Sequence, residues 1–345
     1  EKGITVANLH QGNELNPYIN YPFFANQERD ALAQSLHAQG CKLKLYYTTG
    51  FVSIHSAELH ALRQLGHEIL DAREPNQPLG SSWEQEHLDA AERIANGWST
   101  PGYCGGPNRT LSCGLLDVSL RAQGTSTERY NNYYVEGVRH LNVNSSTSTQ
   151  FDGMYLDGFA FDRFTLKRAR KLLEQRDGTL IDSHFGNEWL GQSSSTMLLN
   201  MAHLSFIDSL WVGEGYDYVG SDAEYYLVEI SGLPFGLMSE MLVNQPGCHD
   251  RNIFRGLAFG MVERYYSSNP CAGEHNAGIF RVFEEFGISE STMLGYWDSR
   301  SPLKIAGPSG CALLRATAFV ILGNRTLLAI ASWAPEPVAC HLTVD

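Results

Sequence analysis

The chain has no apolar run approaching the roughly 20 residues that a membrane-spanning helix needs, so no membrane span is expected. It has no Lys/Arg-rich tract either. The 25 basic residues stand against 38 acidic ones, for a formal charge of −13. That balance sets nucleic acid aside as a partner and makes an anionic membrane surface hardly better. No G-x-G-x-x-G or G-x-x-x-x-G-K-[ST] follows the first predicted strand, which removes the main reason to expect a nucleotide-binding fold. HExxH, three-His and paired-acid motifs are missing, as is any CxxC or zinc-like cluster, and the histidines are scattered. Neither a metal nor another cofactor is expected. A G-x-S-x-G elbow is missing too, since Ser231-Gly232 lacks the flanking pattern. The chain opens on Glu1-Lys2 without Met or a signal peptide, which reads as a processed product or a fragment.

What remains is ordinary globular composition, 43% hydrophobic and 18% charged over 345 residues. That length suits one large α/β barrel with a small appendage. N-x-[ST] sequons occur at Asn108, Asn144 and Asn324, each in a polar or turn-like stretch where a glycan is tolerated. Seven cysteines permit up to three disulfides with one thiol left over. Spacing does not fix connectivity. The expected pairing is Cys104 with Cys113, Cys248 with Cys271, and Cys311 with Cys340, leaving Cys41 free at the start of a buried strand. Several buried free cysteines are the alternative. Sequons and cysteines together favour a secreted or extracellular protein. Nothing in the sequence sets an oligomeric state.

From Gly3 to Arg264 the pattern runs strand, loop, helix, repeatedly. Strands are expected at 3–9, 41–48, 153–157, 179–183 and 206–212, with a third strand near 97–103 ahead of the one at 153–157. Strands seven and eight are placed within 226–237 and 254–262. Helices are expected at 27–38, 56–66, 127–141, 162–175 and 195–204. Strands alternating with helices argue for a mainly parallel sheet. About eight such units over roughly 260 residues match a (β/α)8 TIM-type barrel in size. Beyond Ser301 the rhythm changes to β-rich runs at 312–322, 325–333 and 338–344, with Gly323-Asn324 as a tight turn. The expected domains are a barrel over 1–300 and an antiparallel β-sandwich over 301–345, incomplete with three visible strands.

The chemistry is expected at strand ends, because barrel enzymes keep it at the C-terminal mouth. The run Phe151–Arg163 reads as a short buried strand that delivers Asp157 to its end. Alternation puts Tyr155 and Asp157 on one face, Met154 and Leu156 on the other. Phe206–Tyr216 repeats the device with Glu214, and both acids adjoin glycine, which lets a substrate approach closely. Asp182 and Glu229 are further strand-end acids. Asp182 and His184 share a face, as a hydrogen-bonded core pair or as substrate contacts. His10 and Asn13 cluster after strand one, in a loop that is polar at least. Two carboxyl groups across a scissile bond are the equipment of glycosidic cleavage. Burial among Tyr46, Tyr155 and Tyr216 would raise the acid's pKa towards its working range.

Long stretches resemble glycoside hydrolase family 123. They are Lys2–Pro22, Lys42–Thr48, Asp152–Arg163, Trp211–Tyr216 and Glu229–Gly236, within a similarity over most of 1–265. Ala316–Trp333 is similar to the C-terminal β domain of the same proteins. The resemblance implies a (β/α)8 barrel, normally preceded by a β-sandwich and followed by another. It also implies removal of terminal β-linked N-acetylgalactosamine. There the substrate's own acetamido oxygen attacks the anomeric carbon, aided by an Asp-Glu pair after strand four. Here the sequence departs, because Gly158 follows Asp157. Asp157 is still able to stabilise the acetamido group, and Glu214 would supply the proton.

A strand-end Asp with a second strand-end acid also suits a retaining mechanism with a covalent intermediate, if the carboxyls stand about 5 Å apart. The expected function is therefore cleavage of a terminal glycosidic bond, an N-acetylhexosaminide on the strength of the resemblance. Asp157 is the nucleophile or stabiliser and Glu214 the general acid/base. His10, Asn13, Tyr46, Asp182, His184, Tyr216 and Glu229 would contact the carbohydrate or glycoconjugate. The rival is a non-catalytic extracellular glycoprotein that keeps the barrel to bind carbohydrate or as a scaffold.

Overall fold

The computed structural model describes residues 4–11, 13–18, 20–23, 26–48, 51–53, 56–58, 61, 64, 94–95, 119–121, 128–142, 151–157, 163–176, 178–185, 197, 200–212, 218–241, 250–264, 272–323 and 325–345. The chain divides into two compact units, 5–183 and 184–345 with 1–4.

In the first unit, β1 (Val6–Leu9) leads through α1 (Asn26–His37) to β2 (Lys42–Thr48). A small antiparallel sheet follows, with β5 (Ser119–Arg121) between β3 (Phe51–Ser53) and β4 (Ile94–Ala95). Then come α2 (Glu128–Asn142), β6 (Gly153–Asp157), α3 (Arg163–Leu173) and β7 (Leu180–Phe185). Strands β1, β2 and β6 pair in parallel in that order, and the Leu180 amide bonds the Asp152 carbonyl at 2.8 Å.

The apolar spacing of the helices explains their seating. Tyr134, Val135, Val138 and Leu141 are buried on α2, and Leu166, Ala169, Leu172 and Leu173 on α3. At the N-terminal ends of the strands, Asp152 Oδ2 accepts from the Leu43 amide at 2.8 Å and lies 2.7 Å from His37 Nε2. Asp152 thus ties α1, β2 and β6 together on the face opposite the strand mouths.

One expectation is corrected. Lys44 to Thr48 pair directly with Gly153 to Asp157, so no strand stands between β2 and β6. Asp157 therefore closes the third parallel strand in order, not the fourth. The expected strand at 97–103 and most of the expected helix at 56–66 lie outside the described residues.

The second unit begins with α4 (Met201–Leu204) and β8 (Ser209–Val212). Next is α5 (Ala223–Tyr225), which runs into a π-helical turn (Tyr226–Ile230) and a 3-10 turn (Leu233–Phe235) before β9 (Met238–Met241). After α6 (Asp250–Leu257) comes β10 (Val262–Glu263), and β8, β9 and β10 pair in parallel. The expected strands within 226–237 and 254–262 are therefore wrong. Residues 226–230 and 233–235 are helical turns and 254–257 close α6, so β9 begins after the first stretch and β10 only at the last residue of the second. Counting both units, seven strands of the parallel type lie among the described residues, and an eighth is not found among them.

The C-terminal part adds α7 (Ala272–Phe286), β11 (Thr292–Leu294), β12 (Leu303–Ala306), β13 (Leu314–Ile321), β14 (Arg325–Ser332) and β15 (His341–Val344). Strand β13 pairs antiparallel with β11 and β14, and β12 with β15. Strand β11, ahead of residue 301, thus belongs to the C-terminal sheet. The β13–β14 turn carries Gly323 at φ 71°, a conformation glycine adopts without strain. Cys311 and Cys340 form a disulfide as expected, and Cys41 is a buried free thiol. Cys104, Cys113, Cys248 and Cys271 lie outside the described residues, as do Asn108, Asn144 and Asn324. No helix among the described residues is long and apolar enough to cross a membrane.

Candidate active site

Residues paired across parallel strands project to the same face, and alternate residues share it. Tyr46 pairs with Tyr155 and Thr48 with Asp157, so Lys44, Tyr46, Tyr155 and Asp157 line one side of β2 and β6. The opposite side carries Leu43, Leu45, Met154 and Leu156, all buried. The face bearing Asp157 is thus enclosed yet polar, an expensive choice unless its groups find partners.

They do. The Tyr46 hydroxyl donates to Asp157 Oδ2. The Tyr46 ring lies 5.3 Å from that of Tyr155 and 4.1 Å from the imidazole of His10. Two residues deeper on β2, Lys44 Nζ meets Asp182 Oδ2 at 2.7 Å. Asp182 is thus a core ion-pair partner, the inward-facing acid of β7.

The loop after β1 holds His10 in place. Asn13 Nδ2 donates to the His10 carbonyl at 2.6 Å, while its Oδ1 accepts from the amides of Leu15 and Asn16 at 2.9 and 3.0 Å. Both polar ends of Asn13 therefore shape the loop. His10 Nδ1 lies 2.9 Å from the Gln11 carbonyl. Burial pushes the His10 pKa below the ordinary imidazole value, against the opposing pull of that carbonyl and of the Asp157 charge. Asn8 Oδ1, on the strand leading into this loop, and Gln11 Oε1 are enclosed acceptors without a hydrogen-bond partner among the described residues.

A second group of strand-end side chains lies in the other unit. His184 is buried, with its ring 5.3 Å from that of Trp211. Trp211 pairs with Glu240 across β8 and β9. Glu240 Oε2 accepts from Arg264 Nε at 2.5 Å, just past the end of β10. The Arg264 guanidinium carbon sits 4.7 Å over the Trp211 ring. The sequence reading missed Glu240 and Arg264, because Ser239-Glu240-Met241 carries neither a glycine signal nor a clear alternation.

Glu229 was expected at a strand end and is not there. It sits in the π-helical turn, with Oε2 enclosed and without a hydrogen-bond partner among the described residues. Tyr-Leu-Val-Glu-Ile is a short apolar run, and such runs do not distinguish strand from buried helix. Glu214 and Tyr216 lie outside the described residues. No group of three or more metal-capable side chains was found among the described residues.

Parallel strands separated by helices, with an Asp at a strand mouth held by a tyrosine hydroxyl in an enclosed polar face, define a β/α fold of the parallel barrel class. The comparisons give the family. The TIM-barrel domain of glycoside hydrolase 123 matches residues 1–266, and the C-terminal domain of glycoside hydrolase 123 matches 275–345. The chain belongs to glycoside hydrolase family 123 and is a glycoside hydrolase.

Among solved structures, a noncanonic maltogenic alpha-amylase from Thermotoga neapolitana aligns at 11% identity and TM-score 0.55, over 99% of this chain and 80% of that one. At that identity the likeness speaks for fold. An Anoxybacillus alpha-amylase aligns at 9% identity and TM-score 0.49, over 92% of this chain and 76% of its own. One from Lactobacillus plantarum gives 13% and 0.47, over 91% and 75%. The comparison with curated proteins finds no match.

Proposed function

We propose that the protein cleaves a terminal glycosidic bond of an N-acetylhexosaminide, with Asp157 acting as an anion and Glu214 as the proton donor. The observation that carries this is the hydrogen bond from the Tyr46 hydroxyl to Asp157 Oδ2. A carboxylate that accepts from a donor is favoured in its charged form. That suits a group which stabilises or attacks a developing oxocarbenium centre, and ill suits a proton donor. Gly158 stands where the family places a second acid, so the proton falls to another strand-end carboxyl, which in this reading is Glu214. Asn8 Oδ1 and Gln11 Oε1, enclosed and without a hydrogen-bond partner among the described residues, favour a ligand rich in hydroxyl or amide donors. The Cys311–Cys340 disulfide supports placing the protein outside the cell.

The test uses p-nitrophenyl N-acetyl-β-D-galactosaminide and an unactivated N-acetylgalactosamine-terminated oligosaccharide. Asp157→Asn is expected to abolish hydrolysis of both. Glu214→Gln is expected to slow the unactivated substrate about 10²- to 10⁴-fold, the usual worth of a general acid, and the aryl glycoside less. Full activity of Glu214→Gln on both substrates sinks its assignment, and full activity of Asp157→Asn sinks the site. Binding without turnover by the unaltered chain would favour a carbohydrate-binding module.

A further inference from the structure

We infer that Glu240 is a substrate-anchoring carboxylate that selects uncharged sugars by accepting hydrogen bonds from their hydroxyl groups. The inference rests on the hydrolase reading only for the ligand's being a sugar.

The geometry of Glu240 is that of a prepared acceptor. One carboxylate oxygen, Oε2, is fixed by Arg264 Nε at 2.5 Å. The other makes no hydrogen bond among the described residues, and the side chain is 30% exposed. Arg264 is itself immobilised, 15% exposed with its guanidinium lying over the Trp211 ring. The Trp211 indole is in turn tethered, Nε1 donating to the Met241 carbonyl at 3.2 Å. His184 packs against the same ring. Four residues borne by, or directly following, four strands thus hold one carboxylate with one oxygen spent and one offered.

A purely structural role explains this poorly. An ion pair whose carboxylate is still 30% exposed is screened by water on that side, so its contribution to stability is modest, about 1 kcal/mol. Glutamate is also a poor strand former. A rigid acceptor with an open lone-pair side costs nothing to reorganise when a hydroxyl arrives. The charge balance states which sugars fit. Arg264 is already matched by Glu240, so among the described residues the cluster offers no second guanidinium or ammonium for a uronic or sialic acid. A second carboxylate would meet the Glu240 anion and be repelled.

The test compares the unaltered full chain with Glu240→Gln and Glu240→Asp. The readouts are the KM and kcat for p-nitrophenyl N-acetyl-β-D-galactosaminide, the calorimetric Kd for N-acetylgalactosamine and for glucuronic acid, and Tm. Glu240→Gln is expected to raise KM and the neutral-sugar Kd about ten- to a hundredfold, the worth of a charge-assisted hydrogen bond. It should lower kcat by much less, hold Tm, and narrow the preference against glucuronic acid. Glu240→Asp, which keeps the charge but withdraws the open oxygen, should fall between.

Unchanged KM and Kd in Glu240→Gln overturn the inference, as does a fall in Tm with no change in Kd. If Glu240→Gln does not fold, an unaltered Kd in Glu240→Asp overturns it and a raised one supports it. If the unaltered chain binds the sugar without hydrolysing it, the hydrolase reading fails while the Kd comparison still decides Glu240. An unaltered chain that binds no neutral sugar overturns the inference.

Discussion

Lys44 Nζ and Asp182 Oδ2 meet at 2.7 Å with their side chains 6% and 0% exposed, a charge pair taken almost wholly out of water. Desolvating two ions is costly, and the pair persists because each offsets the other's loss of solvent. Lys44→Met alone should therefore destabilise by about 3–5 kcal/mol, since it strands a buried carboxylate. The double replacement Lys44→Met with Asp182→Leu should recover most of that loss. Urea denaturation followed by circular dichroism measures both, and a double variant as weak as the single one refutes the reading. The pair lies on the same strand face as Tyr46, so a double variant that is stable but slow would show that its charges serve the reaction.

Gly153 opens β6 at φ 148°, and a Cβ built there would stand 1.8 Å from the Leu180 carbonyl oxygen of the neighbouring strand. No rotamer relieves that contact, because the obstacle is backbone. Gly153→Ala is expected to cost more than about 3 kcal/mol, combining backbone strain with overpacking, or to leave no soluble protein. A melting temperature within a degree or two of the unaltered chain would show that β6 and β7 separate freely.

Cys311 and Cys340 close a loop of 29 residues beside the β12–β15 pair. Chain-entropy arithmetic for a loop of that length gives about 3–4 kcal/mol. Cys311→Ser should lower stability by that order, and the unaltered chain should lose a like amount on reduction. Limited proteolysis after reduction should cut first beyond residue 301. Unchanged resistance to protease would mean that packing alone holds these strands.

The elements legible from sequence share a contrast between their two faces. Strand β2 was readable because Lys44 and Thr48 interrupt Leu43, Leu45 and Tyr47 at period two. Helix α3 was readable because Leu166, Ala169 and Leu173 recur at helical spacing. The place of Asp157 at a strand end was legible because a buried, alternating run stops there before a glycine. Where the contrast fails, so does the reading. Tyr226–Ile230 looks like a buried strand but winds as a π-helix, and Phe254–Val262 is apolar enough to hide the end of α6. Strands β9 and β10 span four and two residues, too short for any period to show. Glu240 and Arg264 were missed with them, because their meaning comes from pairing across strands, which is non-local.

His10 offers a pH test of the site's enclosure. Its pKa is lowered chiefly by burial, with the Gln11 carbonyl and the Asp157 charge acting in the opposite sense. The folded protein therefore holds the ring neutral at pH values where the unfolded chain, with an imidazole near 6.5, binds a proton. Stability must rise with pH wherever the unfolded state carries that extra proton, and be lost as pH falls below about 6.5. The slope from one group is at most about 1.4 kcal/mol per pH unit. Carboxylates elsewhere titrate in the same acid range, so the informative quantity is a difference. The stability gap between the unaltered chain and His10→Gln should be constant above pH 7 and shift in favour of the variant as pH falls towards 5. Parallel stability curves for the two proteins across that range would mean that His10 protonates as freely as in water, and that the cluster around Tyr46 and Asp157 is open rather than enclosed.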